Sequence, residues 1–190
     1  MMYFISDLHF GHKNVLSYDN REFKSIEEHN EYLIKQWNSV VGIEDEVYIL
    51  GDISWYPTMK TIAIFKRLNG LKHLIVGNHD KKLLRNQDIR KLFVEITDYK
   101  EISFDDGKGI VLCHYPIPCY NHHYYGWYHL YGHVHNSFEW NMMKQVQFEM
   151  RELYDKPSHM YNVGCMIDYM GYTPRTLSEI LEFNEDEVDS

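Results

Sequence analysis

Five times along this chain a short apolar run stops and hands over to a carboxylate, an amide or an imidazole. Met2–Ser6 leads into Asp7-Leu8-His9, and Val47–Leu50 into Gly51-Asp52. Leu74–Val76 leads into Gly77-Asn78-His79-Asp80, Ile110–Cys113 into His114, and His129–Tyr131 into Gly132-His133-Val134-His135. Runs this short, rich in Ile and Val and without helical period, read as buried strands. Strands apolar on both faces belong to parallel sheets covered by helices. In such sheets ligands bind at the carboxyl ends of the strands. One such ending is ordinary turn chemistry; five of the same kind predict a site.

The segments between the runs fit that reading. Ser25-x-x-Glu28 is a capping box. Ile26, His29, Leu33, Trp37, Val40 and Val41 follow at helical spacing, which predicts a helix over 26–40. Ile62, Phe65 and Leu68 predict a second helix over 58–68, stopped by Asn69-Gly70. The order β-α-β-α-β then gives a parallel sheet through right-handed crossovers. After Asp80, the cations Lys81, Lys82, Arg85, Arg90 and Lys91 read as a solvated helix face. The first two lie near enough to the strand mouth to help hold an anion. From Phe93 the pattern turns to strands, with a hairpin of 99–104 and 110–113 around Asp105–Gly109. Residues 115–131 hold six Tyr, one Trp, three His and two Pro, and read as a structured loop: a lid over a site or a partner surface. Residues 138–150 and 159–163 read as further strands. Thr176-x-x-Glu179 opens a helix over 177–183, and an acidic tail, 185–190, is expected to fray. The whole, 1–184, reads as one domain.

Composition narrows the function. With 44% hydrophobic and 25% charged residues the chain reads as a soluble globular protein. It has no run near the ~20 apolar residues of a membrane span and no signal-peptide start. Cys113, Cys119 and Cys165 lack metal-site spacing and read as free thiols, which suits a cytoplasmic location. The net charge of −9 disfavours a nucleic-acid partner, which calls for a basic surface. It leaves room for a small phosphorylated substrate, because bound cations reverse the local sign. Twelve His in 190 residues is high and suits metal or acid–base work.

The strand ends assemble Asp7, His9, Asp52, Asn78, His114, His133 and His135. No Cys is among them, which argues against a closed structural zinc site. Two carboxylates, an amide and four imidazoles exceed one coordination sphere and suit two divalent ions of intermediate hardness, with Asp52 as the natural bridge. Two such ions ~3.5–4 Å apart can clamp the oxygens of an in-line displacement at phosphorus and supply a hydroxide at neutral pH. No Ser elbow, Cys–His pair, Walker loop or His-Glu-x-x-His helix offers another chemistry.

In this order, Asp7-x-His9, Gly51-Asp52, Gly77-Asn78-His79-Asp80, His114 and Gly132-His133-x-His135 resemble the calcineurin-like metallophosphoesterase family, across residues 2–135. The opening Asp-Leu-His-x-Gly-His-x-Asn and Gly171–Pro174 are similar to small phosphoesterases of bacteria and their phages. The resemblance implies an α/β fold, a four-layer αββα sandwich of two facing mixed sheets flanked by helices. It implies one metal held by Asp7, His9, Asp52 and His135 and another by Asp52, Asn78, His114 and His133. The ions would be Mn²⁺ for preference, with Fe, Zn, Ni or Co open. His79 would protonate the leaving oxygen or stabilise its charge, with Asp80 orienting it, and His12 and Asn14 would line the substrate site. Asp168 stands two places from the acid found in that subgroup. Protein phosphatases of this fold carry Gly-Asp-x-x-Asp-Arg-Gly; Gly51-Asp52-Ile53-Ser54-Trp55-Tyr56-Pro57 lacks the second Asp and the Arg, which points to a small phosphoester instead. The competing expectation is a protein-binding scaffold that keeps the fold without the chemistry.

Overall fold

The structure, a computed structural model, describes residues 1–185. The expected frayed tail lies, from 186 on, outside the described residues. Strands β1 (Met2–Ile5), β2 (Glu46–Ile49), β3 (Leu71–Ile75) and β4 (Glu95–Thr97) form one sheet in that order, all parallel. Strands β5 (Tyr99–Ser103), β6 (Gly109–Cys113), β7 (Tyr128–Tyr131) and β8 (Met160–Asn162) form the second. There β5 and β6 make the expected antiparallel hairpin and the remaining pairs are parallel. The molecule is thus an α/β sandwich of two four-stranded sheets. Both sheets were expected to be mixed; the first is wholly parallel, because helical crossovers rather than hairpins connect its strands.

Helices α1 (Val15–Tyr18), α2 (Ile26–Val40), α3 (Thr58–Phe65) and α4 (Gln87–Arg90) fill those crossovers. The Ser25 hydroxyl caps α2 by accepting from the Glu28 N–H at 3.1 Å, while Glu28 accepts from the Lys24 N–H. A cap of this kind is worth about 1 kcal/mol. The face of α2 that carries Leu33, Ile34 and Trp37 joins the main core with Ile5, Ile49, Leu74, Ile110, Leu112 and Leu130, so both sheets share one apolar interior. The basic stretch after Asp80 is not one helix: a 3₁₀ turn (Leu83–Arg85) precedes α4.

One expectation fails on the far side of the second sheet. Residues 138–152 form a helix, α5 (Phe138–Glu152), not a strand. Phe138-Glu-Trp140-Asn-Met142 and Val146-Gln-Phe148-Glu-Met150 alternate with period two and imitate a strand, yet Ser137 caps a helix that buries no residue fully. The aromatic loop is anchored behind the same sheet. Tyr120 and Trp127 pack with Val111, Tyr131 and Met160 in a second apolar cluster, against which Trp140 and Met143 of α5 also lie. Since Val111 alternates with Ile110 and Leu112, this cluster covers the sheet face opposite the main core. The Tyr120 hydroxyl donates to the Trp127 carbonyl and Trp127 Nε1 to that of Gly107, which pins the loop down.

The free edge of β1 pairs with segments distant in sequence. Ser6 N–H donates to Val163 O and Cys165 N–H to Ser6 O, just past β8; Phe4 and Arg175 exchange both backbone bonds. Helix α6 (Leu177–Glu185), capped by Thr176 with Glu179 as expected, packs Ile180 into the core nearby.

Candidate metal centre

The loops after β1 and β2 run side by side. Asp7, His9 and Phe10 donate their N–H groups to the carbonyls of Gly51, Asp52 and Ile53. The Leu50 carbonyl uses both lone pairs, accepting from Ser6 Oγ at 2.6 Å and His114 Nδ1 at 2.7 Å. The mouths of β2 and β3 nearly touch: a Cβ at Gly51, whose φ is +88°, would lie 2.6 Å from the Gly77 Cα. One at Gly132 would collide with Ser6 Oγ and Asp7 Oδ2, so only glycine lets the β7 mouth approach that of β1.

These loops bring the seven expected ligands together in two clusters. In the first, His9 Nε2 and His135 Nε2 are 3.0 Å apart, and Asp7 Oδ1 lies 3.9 Å from the former and 3.4 Å from the latter. In the second, Asn78 Oδ1 lies 2.9 Å from both His114 Nε2 and His133 Nδ1. Asp52 stands between them, Oδ2 3.8 Å from His9 Nε2 and Oδ1 3.7 Å from His114 Nε2. Asp7, His9 and His135 form one group that could hold a metal ion, and Asp7, Asp52 and His114 another. Five of the seven sit in left-handed backbone: Asp7 (φ 55°), His9 (48°), Asp52 (56°), His133 (69°) and His135 (46°). Such conformations cost of order 1–3 kcal/mol each and persist where surrounding structure enforces them, often at active sites.

The donor chemistry fits cations. Asp7 is fully buried, and its Oδ1 has no hydrogen-bond partner among the described residues. Leu50 O fixes the His114 proton on Nδ1, and Asp19 Oδ1 does the same for His135 at 2.8 Å. In the neutral rings both Nε2 atoms then present lone pairs, to Asn78 Oδ1 and to Asp7 Oδ1. Acceptor facing acceptor is repulsive unless a proton or a cation lies between. Without a cation the proton goes to His135: burial works against its charge, but Asp19 and Asp7 carry its pKa up to about 10. Burial likewise opposes the charge of Asp7, yet the facing His135 ring, 3.4 Å from Oδ1, holds its carboxyl well below the usual range. Burial, then the Asp7 charge, raises Asp52. Burial drives His9 down, leaving it a neutral donor.

The other expected residues are placed less uniformly. His79 is half-exposed, its Nε2 3.9 Å from Asp52 Oδ2 and its ring 4.2 Å from that of Trp55. Asp80 was expected to orient His79, but its buried carboxylate is engaged elsewhere: Oδ2 accepts from the N–H groups of Asp52 and Gly77, and Oδ1 from that of Ile53. It clips the β2 and β3 mouths together. His12 stacks flat on Trp55, centroids 4.1 Å apart. Asn14 is exposed at the start of α1 and Asp168 is exposed after β8; neither side chain bonds a candidate ligand among the described residues.

Sequence reasoning missed the support behind the first cluster. Arg21, 3% exposed, donates Nε and Nη2 to Asp19 Oδ2, Nη2 also to the Asp7 carbonyl, and Nη1 to Cys165 Sγ. His29 lies 3.0 Å from Arg21 Nη1, its pKa pushed down to about 3 by burial and then by that cation. Asp19-x-Arg21 lies in a turn with no periodic signal, so nothing in the sequence marked it. Trp55 and Tyr115, whose ring is 4.6 Å from His133, also went unassigned.

No family model matches the chain. The uncharacterized protein MJ1445 of Methanocaldococcus jannaschii is 38% identical over 136 residues, 70% of this chain and 69% of that protein. The chain belongs to the same family as MJ1445. The crystal structure of AQ665, a protein of unknown function from Aquifex aeolicus, superposes with a TM-score of 0.71 at 30% identity, covering 96% of this chain and 98% of that one. The gene 66 protein of Mycobacterium phage L5 is 44% identical over a shorter stretch of 93 residues, 47% of this chain and 44% of the phage protein. Among the described residues no helix is long and apolar enough to cross a membrane.

Proposed function

We propose that the protein is a metal-dependent phosphoester hydrolase that uses two divalent transition-metal ions, Mn²⁺ for preference, on a small phosphorylated substrate. The observation that carries this reading is the unpartnered, fully buried Asp7 Oδ1 facing two imidazole nitrogens, in a cluster joined through Asp52 to a second one. Asp7, His9 and His135 would hold one ion, Asn78, His114 and His133 the other, and Asp52 both. When bound, such ions act as Lewis acids and lower the pKa of water. The order of the ligands and the two helix-flanked sheets support a calcineurin-like metallophosphoesterase.

The chain's own residues supply the rest. His79 stands at the rim beside Asp52, where its ring can give a proton to the leaving oxygen or stabilise the charge growing there. Trp55 packs against His79 and His12 and limits where both rings can lie. Asp80 is a positioning residue, since its three amide bonds set the spacing between Asp52 and Asn78. Buried Cys113 and Cys165 thiols suit a cytoplasmic protein.

The test is turnover of bis-p-nitrophenyl phosphate and p-nitrophenyl phosphate with Mn²⁺ and with chelator. Metal-dependent hydrolysis is expected. His79→Ala should keep its metal and lose about 10²–10⁴-fold in rate, the worth of one acid–base group. Stoichiometric metal binding with no turnover across a phosphoester panel would overturn this reading in favour of a scaffold.

A further inference from the structure

Beside His79 the surface opens into a cavity of about 720 Å³ whose wall includes Trp55, Asn78, Lys81, Lys82 and Arg85. The chain has a net charge of −9, yet this wall gathers three exposed cations. Among the described residues no carboxylate pairs with any of them. Elsewhere some basic side chains find acids, as Arg21 does with Asp19, Arg67 with Glu31 and Lys100 with Glu95, while others such as Lys13 and Lys35 stand singly on the surface. Three unpaired like charges on one wall repel one another, and a concave wall concentrates their field.

The local fold holds them there. Asp80 is fixed by its three amide donors, the Leu84 N–H donates to the Asp80 carbonyl at 3.0 Å, and Leu84 is buried as an anchor. The segment thus makes a single 3₁₀ turn and leaves Lys81, Lys82 and Arg85 on the cavity that His79 also lines.

We infer that this cavity binds a second phosphate of the substrate, on the leaving-group side of the scissile one. The inference rests on the hydrolase reading, because His79 marks which side is which. The substrate class is then a phosphoester that carries at least one further phosphate. That group could belong to the polyphosphate chain of a nucleotide or to the next linkage of a single strand.

The test has a binding arm and a turnover arm. Calorimetry of inorganic pyrophosphate with the purified protein, with and without Mn²⁺, should show binding at least tenfold weaker in Lys81→Ala/Lys82→Ala/Arg85→Ala. The Lys81→Arg/Lys82→Arg/Arg85→Lys variant should restore it. In the turnover arm, kcat/KM is compared for bis-p-nitrophenyl phosphate, a dinucleoside polyphosphate and a short single-stranded oligonucleotide. The triple alanine variant should lose at least tenfold of the preference for whichever multi-phosphate substrate is favoured, and the favoured one identifies the source. Unchanged pyrophosphate affinity in a variant that stays folded by circular dichroism overturns the inference. Pyrophosphate binding lost in the variant, with no substrate turned over by either protein, would instead retain the anion site and overturn the hydrolase reading.

Discussion

The two clusters of the candidate centre are built on different principles. The first contains a fully buried carboxylate, Asp7, and a histidine backed by the Asp19–Arg21 pair. The second, apart from the shared Asp52, consists of neutral donors, Asn78, His114 and His133, oriented by one carbonyl and flanked by the exposed ring of Tyr115. Outer partners that fix a ring's tautomer and raise its basicity strengthen metal binding. The first cluster should therefore hold its ion tightly and resist exchange, and the second should hold one loosely and leave it open to substrate.

Substitutions can break this asymmetry. The largest effect is expected at the residue common to both halves. Asp52→Asn should release both ions, measured by elemental analysis, and lower kcat/KM by about 10³-fold or more, beyond the 10–100-fold typical of an outer partner. Next, Asp19→Asn should weaken only the tighter of two binding steps, by about 10–100-fold. Equal weakening of both steps would refute the distinction. Asn78→Ala should do the converse and spare the tight step.

A pH experiment sharpens the comparison further. With chelator present, His135 has a folded pKa of about 10, above its unfolded value of ~6.5. A raised pKa means the folded state binds the proton more strongly, so this stabilisation is full below about pH 6.5 and is lost as pH rises through about 10. Thermal melts of metal-free protein should fall across that window, and Asp19→Asn should flatten the fall. Loading the first ion at pH 8 should release a proton, detectable by calorimetry in buffers of different ionisation enthalpy. The smallest effects are expected at Asn14→Ala and Asp168→Asn, each within twofold in kcat/KM. A tenfold loss at Asn14 would restore the substrate-lining role that the family resemblance implies.

The parallel strands and the ligands at their mouths were legible because they obey one local rule: an apolar run, then a glycine or a polar group. Helices α2 and α6 announced themselves through caps. What lay beyond the sequence has physical causes. Helix α5 lies on the surface with no fully buried residue, so burial imposed no helical period on it, and chance alternation suggested a strand. Arg21 meets Cys165 only through the tertiary fold, across 144 positions of sequence, and His135 meets Asp19 across 116. Asp80 sits beside His79 in the chain, and adjacency suggested partnership, but its carboxylate satisfies the backbone of a neighbouring loop instead.

The pairing of β1 with residues near 164 and 175 carries a consequence for biogenesis. Asp7 leaves the ribosome 158 positions ahead of Cys165, which belongs to the strap that closes over it. A nascent chain with His135 already exposed would still lack the backbone partner of Ser6 and the thiol that reaches the Asp7 carbonyl. Metal capture should thus be completed only after the segment around 164–175 has docked on β1.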